Sequence, residues 1–432
     1  MHPKERRPGA TRRDFLMRSG GAAFALSGAS GLLAACGNST GAAQSGGGSG
    51  PVGVTGPDGK VIPLARPNRP VTLPMYQDPI KAGLKPETGG TFTIFNYTDY
   101  LYPKVLRDFG AKYGVSVNYS KFNSMDEAIR KLSTGAVQAD ATNITPDRLA
   151  QAVAGKLIQP INLDYIPNLA ANIWPSLQSP FYDVGSLYTV PYCLYKTGIA
   201  WRSDKVSEDI PNLTPTPWEI FWQSEKYKGF VGVLDDSRES ITMAMLRRGD
   251  LDINTEDPAK INQAVADLQE LYNICNIKVG DLQYSTIPEN KAWLNQAWSG
   301  DMMSAFFYYL PNKATGPLLR FWHPVKGKGP IQNDMWSICT TTKKPVLAHL
   351  FLNFMLDNGV AYSNFVNFNG YQPPLNEIVP EDLVKKKVIP ETLATCVLTE
   401  SDLGPDSLQE MTLTTTGQSL WQDGYSTFLS GA

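Results

Sequence analysis

Three carboxylates fall within five residues at Asp235-Asp236-Ser237-Arg238-Glu239, directly after the apolar run 230–234. A strand ending there and a helix starting there would hold Asp236 and Glu239 at one junction. An acid at the N-cap with Glu at the third helical position suits the positive end of a helix. The same pair can grip a cationic nitrogen, and the two roles are compatible. Asn333-Asp334 places a further acid at the start of a strand-like stretch, where an isolated acid most often marks a turn. Tyr97 and Tyr100 stand in the polar turn 96–100, which favours a surface or cleft over the core. Tyr308 and Tyr309 close the run 304–309, read as a strand. Aromatic faces beside carboxylates hold ammonium groups by cation–π and Coulomb attraction.

Other chemistries find little support. There is no G-x-S-x-G elbow, P-loop, dinucleotide glycine motif or H-E-x-x-H, and no acid is paired with a nucleophile. Three histidines, His2, His323 and His349, are too few and scattered for an ordinary metal site. The sequence therefore predicts no catalytic residue, no metal and no cofactor. The chain has 39 basic and 41 acidic residues. Six of the basic and two of the acidic ones precede residue 34, so the remainder carries net charge −6. That balance argues against nucleic acid and permits a cationic ligand.

The elements that must position these groups follow from periodicity. Strands are expected at 91–95, 115–119 and 230–234. Helices are expected from Pro103, over 124–134 with Ser124 as cap, over 237–247, from Pro258, and from Pro345 through Leu356. Repeated strand–helix units predict an α/β fold, with a site outside the carboxyl ends of the strands. The pattern reads as two lobes with chain crossings near residues 195 and 328. Lobe 1 is expected at 90–195 plus 329–376, and lobe 2 at 196–328 plus 377–432.

The N-terminal region has another purpose. Arg12-Arg13, one polar residue, then Phe15-Leu16 resembles a twin-arginine export motif, followed by a mild apolar stretch. Leu33-Ala34-Ala35-Cys36-Gly37 resembles a lipobox with Cys36 acylated, so residues 1–36 are expected to be a lipoprotein signal peptide. Residues 37–89 are expected to be a flexible, uncharged spacer and then a proline-rich, largely irregular arm. Cys193, Cys275, Cys339 and Cys396 are compatible with free buried thiols or with two bridges.

From about residue 90 to the end, the chain resembles the bacterial spermidine/putrescine-binding proteins, extracytoplasmic receptors of polyamine ABC importers. The resemblance is carried by Phe95-Asn96-Tyr97-Thr98-Asp99-Tyr100, by Leu234-Asp235-Asp236-Ser237-Arg238-Glu239 with its helix and Asp257-Pro258, and by Gly370-Tyr371-Gln372-Pro373-Pro374-Leu375-Asn376. It implies a two-lobed, type II periplasmic-binding-protein fold with the ligand in a cleft between lobes. By local match, Tyr97 and Tyr100 fall on aromatic positions of the first lobe. Asp236 and Glu239 fall on ammonium-binding acids of the second, Asp334 on a further cleft acid, and Tyr308 where a cleft tryptophan is usual. Two departures stand out: Gln332 replaces a tryptophan, and Thr145 and Asp147 replace a hydroxyl-plus-tyrosine contact. The implied partners are a small polyamine or related cationic solute, the permease subunits and, through the lipid anchor, the membrane; a monomer is expected. The resemblance specifies the receptor class more tightly than the ligand. Another cationic amine, an amino-acid-like compound or a sugar derivative is the alternative.

Overall fold

Alternation along residues 91–97 sets the first strand of the main sheet: Phe92 and Ile94 enter one core while Phe95 enters another. In the computed structural model, which describes residues 52–324, 327–404 and 406–431, a small antiparallel hairpin comes first. Its strands are β1 (Gly53–Thr55) and β2 (Val61–Pro63). There follow β3 (Thr91–Tyr97), α1 (Pro103–Tyr113), β4 (Ser116–Phe122), α2 (Met125–Ser133), β5 (Ala141–Ile144) and α3 (Pro146–Ala154). Next come β6 (Ile158–Gln159), α4 (Asn168–Asn172), the long β7 (Val190–Arg202), β8 (Val231–Val233) and α5 (Ser237–Arg247). The chain continues with α6 (Pro258–Cys275), β9 (Lys278–Val279), α7 (Gln283–Thr286), β10 (Leu294–Trp298), α8 (Ser299–Ser304) and β11 (Leu319–Trp322). It ends with β12 (Ile331–Cys339), α9 (Pro345–Met355), α10 (Asn358–Asn364), α11 (Pro380–Lys385) and α12 (Thr415–Gly431).

Local chemistry explains the helix starts. Proline occupies the first turn of α1, α3, α6 and α9, where its missing N–H costs nothing. Ser124 accepts from the Glu127 N–H at 3.3 Å, while Glu127 accepts from the Asn123 N–H at 2.8 Å. Asp257 accepts from the Ala259 N–H at 2.8 Å at the head of α6.

The strands run in the order β4-β3-β5-β12-β7-β10-β8-β9, with β6 beside β12 and β11 beside β7. β3 is parallel to β4 and β5, and β10 is parallel to β8. β7 serves both halves: residues 190–196 pair with β12, and residues 197–202 pair with β10 and β11. One core gathers Phe92, Phe109, Trp336 and Phe351, and a second packs α2 and α3 against Phe95 and Phe122. A third holds Val231, Val233, Ile241, Leu268 and Trp421 around α5, α6 and α12. Leu383, Leu393 and Leu398, from the region expected in the second lobe, pack into the core that holds Phe92 and Trp336.

The proline-rich arm is docked: Ile62, Val71 and Leu73 are buried against α2 and α3, and Arg66 donates to the Thr412 carbonyl at 3.1 Å. The run 304–309 is not a strand. α8 continues directly into a π-helical turn over Ala305–Tyr309. A short, continuously apolar run carries no period that separates strand from buried helix, so the local reading misplaced it. The four cysteines of the described residues are free and buried. Cys36 and the Arg12-Arg13 pair lie outside the described residues.

Candidate functional site

β12 presents Gln332, Asp334 and Trp336 on one face, and all three are buried. Asp334 is 2 % exposed. Its Oδ2 accepts from the Tyr100 hydroxyl at 2.5 Å and lies 3.8 Å from Cys193 Sγ, while Oδ1 meets no protein donor. Burial pushes this carboxyl up to about 7, against the opposing hydrogen bonds from Tyr100 and Cys193. Tyr100 reaches this position through a sharp turn after β3, in which Asp99 takes φ +56°, a conformation Asp tolerates better than most residues.

A row of rings leads away from Asp334. Tyr97 and Tyr100 meet edge-on at 5.6 Å, Tyr100 and Tyr371 at 4.9 Å, Tyr371 and Tyr195 at 5.5 Å, and Tyr195 and Trp298 at 6.1 Å. Two contacts pin Tyr371. Its hydroxyl donates to Asp301 Oδ1 at 2.8 Å, and its ring lies on Gly300, where an added Cβ would come within 2.4 Å of ring atoms. Asp301 is buried behind this ring, which raises its carboxyl to about 8.

The row meets the α5 N-terminus at Trp298, whose Nε1 bonds Glu239, and the charge of Asp236 also reaches Tyr97. Asp236 caps α5, accepting from the N–H groups of Arg238 at 2.8 Å and Glu239 at 3.1 Å. Glu239 does not serve as a cap. It is 3 % exposed, and its Oε1 accepts from Thr197 Oγ1 at 2.8 Å and from Trp298 Nε1 at 2.7 Å. Its Oε2 has no protein partner. Burial and the adjacent Asp236 charge raise Glu239 to about 7. Asp236 itself is raised by burial and, further, by Asp147. The two readings of the acidic cluster are thus divided between its members: Asp236 caps, and Glu239 offers a free oxygen.

Glu410 joins this end from an irregular segment before α12. Its N–H donates to Gln332 Oε1 at 3.1 Å, its Oε1 has no protein partner, and burial beside Glu239 raises its carboxyl well above the ordinary range. Thr145 stands at the head of α3 with a buried hydroxyl that makes no bond. Asp147 pairs with Arg148 at 3.3 Å, and its charge acts on Asp236, Asp334 and Glu410. Gln332 Nε2 is likewise buried without a partner. Arg238 is occupied elsewhere: it donates to the Ile253 carbonyl and to Asn254, and sits 4.6 Å over the Trp421 ring.

The structure therefore brings together eight of the nine expected ligand residues: Tyr97, Tyr100, Thr145, Asp147, Asp236, Glu239, Gln332 and Asp334. Tyr308 is the exception. It is 54 % exposed on the π-helical turn and touches Tyr309 and Phe368, because the segment is helical and turns its ring outward. The aromatic at that end is Trp298, ten residues earlier, at the carboxyl end of β10. Its position just before Ser299-Gly300 was the available signal. Tyr371 stands in the stretch 370–376 that carries the family resemblance, but no residue type or spacing there marks it for the site; Tyr195, Asp301 and Glu410 have no local signal. Among the described residues, no group of three or more His, Cys, Asp or Glu side chains is arranged to hold a metal.

The family profile described as bacterial extracellular solute-binding protein matches residues 104–392. The spermidine/putrescine-binding periplasmic protein of Salmonella typhimurium is 28 % identical over 272 residues, 63 % of this chain and 74 % of that protein. Among solved structures, the Tp0655 (TpPotD) lipoprotein of Treponema pallidum aligns with TM-score 0.63 and 22 % identity, covering 78 % of this chain and 99 % of the other. The spermidine/putrescine ABC transporter substrate-binding protein PotD of Streptococcus pneumoniae aligns with TM-score 0.60 and 21 % identity, covering 79 % and 99 %.

Proposed function

Because the chain belongs to the bacterial extracellular solute-binding proteins and has the two-lobed type II periplasmic-binding-protein fold, we propose that it captures a polyamine of the putrescine/spermidine kind outside the cytoplasm and delivers it to an ABC permease. One observation carries the ligand class. Asp334 and Glu239, at opposite ends of the row Tyr100–Tyr371–Tyr195–Trp298, each keep one buried carboxylate oxygen without a protein donor. An extended diamine satisfies both oxygens with its ammonium ends and lays its methylenes along the rings.

The protein's part is capture and release rather than catalysis. A buried ammonium must be paired, and the acids supply that pairing where an amino acid's own carboxylate would be repelled. Closure about the crossings through β7 and the neighbouring segments seals the ligand in. Contacts across the cleft mouth support this closure: Arg148 on α3 bonds Gln418 on α12, and Gln422 donates to Asp126 at 2.9 Å. A calorimetric panel tests the reading. Putrescine or spermidine should bind the mature protein, while common amino acids and oligosaccharides should not. Tight binding of an amino-acid-like compound or sugar in their place would favour the other-solute alternative, for which the unpartnered Gln332 Nε2 is the supporting observation.

Membrane attachment belongs to the same proposal. Export through the Arg12-Arg13 motif and acylation at Cys36, with residues 37–50 as tether, would keep the receptor beside its permease. Cys36→Ser should release the protein from the membrane fraction. Unchanged fractionation, with no acyl group found by mass spectrometry, would remove the lipid anchor from the account.

A further inference from the structure

The proline-rich arm makes a contact that the capture site does not use. The arm lies ahead of residue 104, where the family match begins. Its middle is fixed to the core that holds Phe95 and Phe122, in which Ile62, Ala65, Val71 and Leu73 are buried. The Val71 N–H donates to the Phe181 carbonyl at 2.8 Å, and the Val71 carbonyl accepts from the Val184 N–H at 3.1 Å. The Tyr188 hydroxyl donates to the Pro74 carbonyl at 2.7 Å. The turn Arg66-Pro67-Asn68-Arg69 is closed by backbone bonds in both directions, at 3.1 and 2.8 Å, and Arg69 Nη2 donates to the Leu64 carbonyl at 2.8 Å. Arg66, half-buried, thus projects from a stiff base, and its Nη1 donates to the Thr412 carbonyl at 3.1 Å.

Thr412 is fixed to a different core. Leu413 beside it is buried among the side chains around α5, α6 and α12, and the Thr414 N–H donates to Glu256 Oε1 at 2.8 Å. The Met411 N–H donates to Asn254 Oδ1 at 2.8 Å, and the Met411 carbonyl accepts from Arg238 at 3.4 Å. The same segment carries Glu410, with its free carboxylate oxygen.

We infer that the docked arm 52–89 is a strap that holds the cleft shut, with Arg66 as its positioning residue: anchored on one lobe, it grips the segment of the other that carries Glu410. A guanidinium donating to a carbonyl is a charge-assisted hydrogen bond. The bond exists only while the lobes are together, so it lowers the free energy of the closed state without touching the ligand. Release requires opening, so the strap acts on the rate of release rather than on association.

The strap rests on the capture-and-release reading above, and two measurements keep the two apart. Spin labels attached through Arg130→Cys on α2 and Lys228→Cys before β8, both exposed positions, report the separation of the lobes in the unliganded mature protein. Arg66→Ala should lower the ratio of short to long separations about three- to tenfold. Lys60→Ala, exposed on the hairpin of the same arm, should leave the ratio unchanged. Stopped-flow mixing with putrescine should show release faster by the same factor, with association within about twofold of wild type. Arg66→Gln, uncharged but of similar reach, takes the place of the alanine variant if that one does not fold. Failure of putrescine to bind the wild type would overturn the polyamine reading and leave the strap to the distance measurement. Equal lobe separations in the variant and the wild type, or equal release rates where putrescine binds, would overturn the strap.

Discussion

Replacing Asp334 with Asn is expected to weaken putrescine binding by roughly 10- to 150-fold, the equivalent of one charge-assisted hydrogen bond of about 1.5–3 kcal/mol. Glu239→Gln should do the same at the other end of the ring row. Both carboxylates are buried and each has an oxygen with no donor in the protein. Removing the Asp334 charge therefore leaves one ammonium buried without its counter-ion, and removing the Glu239 charge leaves the other end with Glu410 as the remaining carboxylate that has a free oxygen. Neither side chain caps a helix; Asp236 alone does so at α5. The unliganded melting temperature at pH 8 should accordingly hold or rise, since each substitution removes a desolvated charge. Asp209→Asn, on an exposed 3-10 turn, should leave affinity unchanged. Unaltered putrescine affinity in both Asp334→Asn and Glu239→Gln would sink the proposed ligand geometry.

Affinity should also fall steeply on acidification. Asp334 and Glu239 are each raised to about 7, chiefly by burial, and must give up their protons to hold a cation. Below about pH 7, each such group costs about tenfold in affinity per pH unit. Putrescine should therefore bind on the order of 100-fold more weakly at pH 6 than at pH 8. The stability linkage of the unliganded protein has the opposite sign. A carboxyl raised on folding is protonated and harmless at low pH, and destabilises progressively as pH climbs from its unfolded value near 4 to its folded value near 7. Two measurements check this: affinity against pH, and proton release by calorimetry in buffers of different ionisation enthalpy. Asp334→Asn should remove about one proton from the linkage. A flat affinity between pH 6 and 8 would contradict the buried-acid account.

Asp236 and Glu239 were legible in the sequence because they sit where local rules act, whereas Asp334 lies inside β12 and was marked as a cleft acid only by the family resemblance. Asp236 and Glu239 follow an apolar strand and open a helix, and the structure puts α5 at Ser237–Arg247 as the periodicity expects. The aromatic row was only half legible. Tyr97 and Tyr100 belong to one turn, but Tyr195, Trp298 and Tyr371 come from three distant stretches that meet only in the tertiary fold. Tyr308 misled because an unbroken apolar run carries no period, and the chain makes it helical. Glu410 had no local signature. Its segment forms no helix or strand and is held by Gln332, Asn254 and Arg238, all more than 70 residues away in sequence.

The most direct measurement is the structure of the protein crystallised with putrescine. The account places one ammonium nitrogen within about 3 Å of Asp334 Oδ1 and the other within about 3 Å of Glu239 Oε2, with the methylenes against Tyr371 and Tyr195. Density for the diamine elsewhere, or a cleft in which these two oxygens contact only water, would contradict it.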